Sequence, residues 1–209
     1  MNPEGNNPNI HSHSEDKNRR IQDALAALDN LVTDYAETFD NPEYGTVGID
    51  EELRRPVAVL HAAGVNTEAS CWGHPEHRDR DDLPPASHNL LPYIKCEGYT
   101  LGDGEDDDGN AIGYTAEQVE RASTKASMDY KRLKRLYDEC FDGKSEQERW
   151  VMILYPFEGC PVFHIQSTMD SEDFEKLSVV EQDNLVKIIR EQMSVFFEYI
   201  EDAYVRGTV

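Results

Sequence analysis

The C-terminal segment repeats apolar residues at steps of three and four, and this repeat constrains the fold more than any other pattern in the chain. Such spacing predicts a long amphipathic helix whose apolar face is buried against other elements. Ser178 followed by Glu181 has the spacing of a capping box and predicts where the helix begins. The stripe is wide enough either to close a core within one chain or to pair with a second subunit in a homodimer. Its members are Leu185, Ile188, Ile189, Met193, Phe196, Ile200 and Tyr204.

The same spacing predicts two more long helices, over residues 17–39 and 115–141. Thr115 and Gln118 open the second of these as a capping box. This helix also carries a stripe of basic residues, which pairing with acids of the same helix explains unless a phosphate-bearing ligand is present. The basic residues are Arg121, Lys125, Arg132 and Arg135.

The segment from Asp50 to Gly64 predicts a shorter helix. Asp50 precedes two glutamates, as expected for an N-cap followed by acids in the first turn. Gly64 is suited to the C-terminal end of a helix. Pro56 lies within the segment, so it must fall in the first turn, or the helix starts later or is kinked.

Four short segments have the alternation or composition of β-strands: residues 65–71, 92–98, 150–157 and 161–169. The last two are separated by Glu158-Gly159-Cys160 and predict a β-hairpin. The fold class is therefore α+β. We expect a small antiparallel or mixed sheet of about four strands, with helices packed mainly on one face.

The domain organisation follows from length and composition. A chain of 209 residues is long enough to bury a core without disulfides or metals. We expect a flexible arm at residues 1–16 and a single α+β domain at residues 17–209, with a mobile acidic loop near residues 98–113. This loop fails the EF-hand pattern, because Asp108 and Tyr114 stand where glycine and glutamate are needed.

The charge is strongly acidic, with 42 Asp and Glu against 20 Lys and Arg and a formal net charge of -22 at pH 7. Repulsion of phosphate makes nucleic-acid binding unfavourable over most of such a surface. Three explanations stay open. The acids serve solubility or adaptation to salt, they imitate DNA in front of a basic protein, or they are a solvated background to a local site.

The cysteine pattern and the absence of apolar runs favour a cytoplasmic protein without a membrane partner. No stretch has the roughly 18 uninterrupted apolar residues of a membrane span. Residues 1–16 lack the basic and apolar regions of a secretory signal. The cysteines are widely spaced, and reduced thiols are the expectation. They are Cys71, Cys96, Cys140 and Cys160.

One segment, Ser70-Cys71-Trp72-Gly73-His74, combines the end of a strand, a turn glycine, a thiol and an imidazole. Together with His77 it gives Cys71, His74 and His77 as candidate metal ligands. Zinc is the metal that thiolate and imidazole favour. The second half of a paired zinc motif is missing, so a further ligand would have to come from another strand, from Cys96, Cys160 or His164.

The same thiol and imidazole predict a second chemistry, in which Cys71 is a nucleophile and His74 is its base. A small buried cysteine beside a turn that requires Gly73 explains these residues without any catalysis. Along its own strand His164 alternates with Phe163 and Ile165, so it faces either a polar pocket or the solvent.

The leading hypothesis is a ligand-binding or catalytic pocket for a small molecule at the turn from Ser70 to His77. Its candidate catalytic residues are Cys71 and His74, and its candidate ligand-binding residues are Asp50, Glu51, Ser70, Gly73 and His164. The alternative is an acidic interaction protein without catalytic activity, a phage-type inhibitor or DNA mimic that binds a host protein.

One run resembles a set of largely uncharacterised bacterial and bacteriophage proteins. It goes from Asp50 through Leu60, Gly64, Thr67, Ser70-Cys71 and Gly73-His74 to Pro92-Tyr93-Ile94. Their core reads as a helix, then Gly-x-x-Thr-x-x-Ser-Cys-x-Gly-His, then an aromatic strand. The likeness covers roughly residues 49–96 and implies no established activity.

A more distant similarity is to the methyltransferase family of wybutosine synthesis in tRNA. The Ser-Ser-Cys-Ser-Gly-Arg turn of that family shares Ser70, Cys71 and Gly73 with this chain, whereas Ala69 and His74 depart from it. His74 replaces the arginine of that turn, and the net charge is -22. Both differences count against a tRNA substrate.

Overall fold

The computed structural model describes residues 8–37, 39–41, 45–74, 90–99, 113–144, 152–156, 161–169 and 171–209. These residues confirm the α+β class. In chain order the elements are α1 (Pro8–Asp34), β1 (Phe39–Asn41), β2 (Gly45–Val47), α2 (Glu51–Ala62), β3 (Asn66–Cys71), β4 (Tyr93–Glu97), α3 (Ala116–Cys140), β5 (Met152–Pro156), β6 (Val162–Ser167), α4 (Ser171–Glu175) and α5 (Val179–Val205).

The main sheet runs in the order β3-β4-β6-β5, and each neighbouring pair in it is antiparallel. The predicted hairpin is confirmed by the pairing of β5 with β6. The register of β3 on β4 shifts between Thr67 and Ala69. This irregularity interrupts the simple alternation predicted for residues 65–71, because an extra residue in one strand changes which side chains share a face. β1 and β2 form a separate antiparallel pair.

The core lies between one face of the sheet and the long helices. Ile94 and Cys96 of β4, with Phe163 and Ile165 of β6, are at most 1% exposed and belong to one cluster with residues of α1, α2, α3 and α5. Side chains alternate between the two faces of a strand. The opposite face, called the polar face below, therefore carries the half-buried Tyr93, Lys95, Glu97, His164 and Gln166.

The apolar stripe of α5 closes the core within a single chain. Ile189, Met193, Phe196 and Ile200 are fully buried against the rest of the cluster. A homodimer stays a prediction. Among the helices that the structure describes, none is long and apolar enough to cross a membrane. The described cysteines, Cys71, Cys96 and Cys140, are in the reduced form.

The helix ends follow the predicted signals. Both capping boxes form, at Thr115 with Gln118 and at Ser178 with Glu181. The end of α2 is a Schellman motif, with Gly64 at φ +78° and the Val65 N–H donating to the Leu60 carbonyl at 2.9 Å.

The position of Pro56 differs from the expectation that it falls in the first turn. Pro56 is the sixth residue of α2, and the helix continues through it. Because proline has no N–H, one backbone hydrogen bond of the helix is missing there.

The predicted arm at residues 1–16 also differs from the structure, because α1 begins at Pro8. A proline is favoured in a first helical turn, where its missing N–H would have no partner. Residues 1–7 and most of the predicted acidic loop lie outside the described residues.

The basic stripe of α3 pairs with acids of the same helix, as the simpler interpretation predicted. Lys125 Nζ lies 2.6 Å from Asp129 Oδ2, and Arg132 Nη2 lies 3.0 Å from Asp129 Oδ1. Lys125 also donates to the Gly64 carbonyl at 2.8 Å, which ties α3 to the end of α2. The stripe is therefore a structural feature of the helix.

His61, in the last turn of α2, connects that helix to the end of α1 and to β3. The Tyr35 hydroxyl is hydrogen-bonded to His61 Nδ1, and the Thr67 N–H donates to His61 Nε2 at 3.2 Å. The Thr67 hydroxyl also lies 2.9 Å from Nε2, so both ring nitrogens of His61 have hydrogen-bond partners. Burial lowers the pKa of His61, and the positive charge of Lys125 lowers it further.

We expect the His61 contacts to stabilise the fold fully above pH 6.5, the ordinary pKa of the group, and to weaken as the pH falls below it. The pKa of His61 is lower in the folded chain, so the unfolded chain binds the proton first and unfolding becomes easier. The measurement is the difference in free energy of unfolding between wild type and His61→Gln, by urea denaturation from about pH 7.5 to about pH 5. A difference that stays constant over this range would contradict the assignment.

Candidate functional site

The turn after β3 depends on a glycine in the left-handed conformation. Gly73 has φ +78°, and a Cβ placed on it would lie 2.8 Å from the Leu90 carbonyl oxygen and 2.8 Å from Pro92 N and Cδ. Any other residue at this position is strained and also clashes with the backbone that enters β4. The sequence predicted Gly73 as a ligand-binding residue. The shape of the turn already requires a glycine at this position.

Asp50 occupies the predicted N-cap position of α2, but its side chain does not cap the helix. Its Oδ2 instead accepts a hydrogen bond from the Trp72 N–H at 2.8 Å and lies 3.2 Å from His74 Nε2. A carboxylate beside the first turn of a helix is also favoured by the helix dipole. The Asp50 carboxylate therefore stabilises α2 through its charge and fixes the turn by direct hydrogen bonding.

Three side chains with metal-binding atoms meet at this turn. One donor atom each from Asp50, Cys71 and His74 lies within 4.8 Å of the other two. In a tetrahedral zinc site with nitrogen and oxygen ligands about 2.1 Å from the metal, two such ligands are about 3.4 Å apart. The 3.2 Å between Asp50 Oδ2 and His74 Nε2 fits that separation.

The Cys71 sulfur is enclosed and receives a backbone hydrogen bond. Cys71 is 6% exposed, whereas the side chains of His74 and Asp50 are 24% and 29% exposed. The Gly73 N–H donates to Cys71 Sγ at 3.3 Å. A donor directed at sulfur stabilises the thiolate, which is the form that binds metal or acts as a nucleophile.

Arg190 of α5 holds the turn from the opposite side. Its Nε donates to the Trp72 carbonyl at 2.9 Å, and its Nη2 donates to the Gly73 carbonyl. The guanidinium also lies 5.7 Å from the centre of the Trp72 ring. The sequence analysis missed Arg190, since 118 positions separate it from Trp72 and no spacing pattern connects the two.

The polar face of the sheet begins directly beside the cluster. Tyr93 is in register with Cys71 on the neighbouring strand. Burial raises the pKa of Tyr93, and negative charge at Cys71, Glu68 and Asp50 raises it further. His164 lies one strand beyond, with its ring centre 6.1 Å from that of Tyr93. A hydrogen bond of 2.8 Å joins His164 Nδ1 and the Gln166 side-chain oxygen.

The structure thus brings together part of the predicted site. Cys71, His74 and Asp50 meet, while His164 lies on the polar face as a neighbour of Tyr93. Glu51 is exposed in the first turn of α2, and Ser70 is half-buried in β3 in register with Ile94. Neither belongs to the three-residue cluster. His77, predicted as a metal ligand, lies outside the described residues, as does Cys160.

Comparison with known proteins gives no match for this chain among protein-family models, curated protein sequences or solved structures. The likeness of residues 49–96 to uncharacterised bacterial and bacteriophage proteins stays an expectation. The function is therefore argued from the geometry of the turn.

We expect Asp50→Asn to lower the free energy of unfolding by about 1.5 kcal/mol, because it weakens a charge-assisted hydrogen bond from the Trp72 N–H. Glu51→Gln is the matched control, since it removes the same charge from the same helical turn at an exposed position. Both are measured by urea denaturation with a chelator present. Equal losses in the two variants would show that only the helix dipole is involved.

Proposed function

We propose that the protein binds one zinc ion through Asp50, Cys71 and His74 and presents the fourth coordination position to a small molecule. The observation that carries the proposal is the convergence of the three donor atoms within 4.8 Å of one another. Thiolate, imidazole and carboxylate are the ligand types that zinc takes in proteins. The 3.2 Å between Asp50 Oδ2 and His74 Nε2 is close to the separation of two zinc ligands.

Within the described residues the cluster has three protein ligands, and this number favours a reactive site over a structural one. Structural zinc sites are closed by four protein ligands, whereas catalytic sites keep one position for water or substrate. A zinc ion there would supply Lewis acidity, which polarises a bound carbonyl or lowers the pKa of bound water. The chain contributes the enclosed sulfur of Cys71, the hydrogen-bonded carboxylate of Asp50 and, beside them, the phenol of Tyr93.

The charge around the turn favours a neutral or cationic small molecule. Glu68 pairs with Lys95 Nζ at 2.5 Å on the strands next to the cluster, and Asp50 of the cluster is a further acid. With a net charge of -22 over the whole chain, a polyanionic substrate is disfavoured by long-range repulsion.

A second candidate chemistry uses the same residues without metal. The 3.2 Å contact of His74 Nε2 with Asp50 Oδ2 favours an imidazole oriented by a carboxylate, with Cys71 as the nucleophile. The 6% exposure of Cys71 disfavours direct attack on a substrate. The acidic-interaction hypothesis rests on net charge alone and stays a prediction.

We expect purified wild-type protein to hold about one zinc ion per chain, measured by inductively coupled plasma mass spectrometry after dialysis. Cys71→Ser, His74→Gln and Asp50→Asn should each weaken zinc binding by at least about tenfold, since each removes one ligand. Cys140→Ser makes the same chemical change as Cys71→Ser outside the cluster and should leave zinc binding unchanged. His77→Gln tests the prediction that His77 is also a ligand.

Two results would contradict the zinc proposal. One is a wild-type protein that takes up no zinc on reconstitution, and the other is equal zinc binding by Cys71→Ser and Cys140→Ser. Rapid alkylation of Cys71 by iodoacetamide in metal-free protein, slowed by His74→Gln, would instead support the nucleophile.

A further inference from the structure

We infer that Arg190 is a positioning residue for this centre and acts on the Cys71 sulfur through the peptide group between Trp72 and Gly73. The inference rests on the proposed zinc site. It assigns a role to a residue of α5 whose hydrogen bonds go to the backbone of the turn.

The geometry places a charged donor and the sulfur at opposite ends of one peptide group. The Trp72 carbonyl and the Gly73 N–H belong to the same planar unit. Arg190 Nε donates to the carbonyl at 2.9 Å, and the Gly73 N–H donates to Cys71 Sγ at 3.3 Å. Hydrogen bonds joined in this way polarise one another, so the guanidinium makes the Gly73 N–H a stronger donor to sulfur.

The second contact of Arg190 fixes the next peptide group. Arg190 Nη2 donates to the Gly73 carbonyl, which belongs to the peptide leading into His74. A guanidinium presents several donors in a rigid plane and can hold two neighbouring carbonyls at once. The guanidinium also lies 5.7 Å from the centre of the Trp72 ring, and this cation–π contact further fixes its position.

The turn is therefore held from two sides by opposite charges. The Asp50 carboxylate accepts the Trp72 N–H on the α2 side, and the Arg190 guanidinium binds the two following carbonyls on the α5 side. Each contact restrains a different peptide group of the segment that carries Cys71 and His74. Without Arg190, the sulfur would keep its place in β3 but receive a weaker hydrogen bond.

The experiment replaces zinc by cobalt(II), because a cobalt–thiolate bond gives a charge-transfer absorption band whose energy reports the electron density on sulfur. Wild type, Arg190→Gln and Arg190→Lys are titrated with cobalt(II) chloride. Arg206→Gln is the control, since Arg206 follows α5 and pairs with Asp202 at 2.7 Å, away from the turn. Circular dichroism and thermal unfolding report on the fold of each variant.

We expect Arg190→Gln to bind cobalt about tenfold more weakly than wild type, the size of effect usual for outer residues of metal sites. Its charge-transfer band at saturating cobalt should move to lower energy, because sulfur with a weaker hydrogen bond gives up an electron more easily. Arg190→Lys should fall between wild type and Arg190→Gln, since an ammonium keeps the charge without the planar two-carbonyl contact. Arg206→Gln should match wild type.

The outcomes separate this inference from the zinc proposal. Failure of wild type to bind cobalt through sulfur overturns both. Cobalt binding by wild type, with the same band and affinity in Arg190→Gln, overturns the role of Arg190 alone, even if that variant unfolds at a lower temperature. If Arg190→Gln does not fold, an unchanged band and affinity in Arg190→Lys overturn it in the same way.

Discussion

The carboxylate of Asp50 accepts a hydrogen bond from the Trp72 N–H and lies 3.2 Å from His74 Nε2, so one side chain joins the start of α2 to the turn after β3. Everything else at the site depends on this contact. Asp50 is fixed because α2 is anchored in the core by Leu53, Val57 and Leu60, each at most 1% exposed. The turn is fixed because Gly73 adopts a conformation that allows its backbone to pass close to Pro92.

Much of this could be predicted from local sequence. Capping boxes, the end of α2 at Gly64 and the hairpin of β5 with β6 are specified by residues a few positions apart, and each was found where the spacing indicated. The proximity of Cys71 and His74 is also specified by residues a few positions apart. A strand end followed by a turn glycine brings residues three positions apart to one side of the chain.

The rest depends on contacts between distant segments, which spacing does not encode. The sequence marked Asp50 as a cap for its own helix and as a candidate ligand-binding residue, but no spacing pattern predicted that its carboxylate accepts the Trp72 N–H 22 residues later. Arg190 looks like one more polar residue of an amphipathic helix, although it holds the carbonyls of Trp72 and Gly73. The register shift in β3 and the continuation of α2 through Pro56 were likewise not predicted by local spacing.

The central claim is that Asp50, Cys71 and His74 form one metal centre, and X-ray absorption at the zinc edge tests it most directly. The reconstituted protein should show one sulfur at about 2.3 Å from zinc, together with nitrogen and oxygen ligands at about 2.0–2.2 Å. Cys71→Ser should lose the sulfur contribution, and Cys140→Ser should retain it. Zinc coordinated only by nitrogen and oxygen in the wild-type protein would contradict the account.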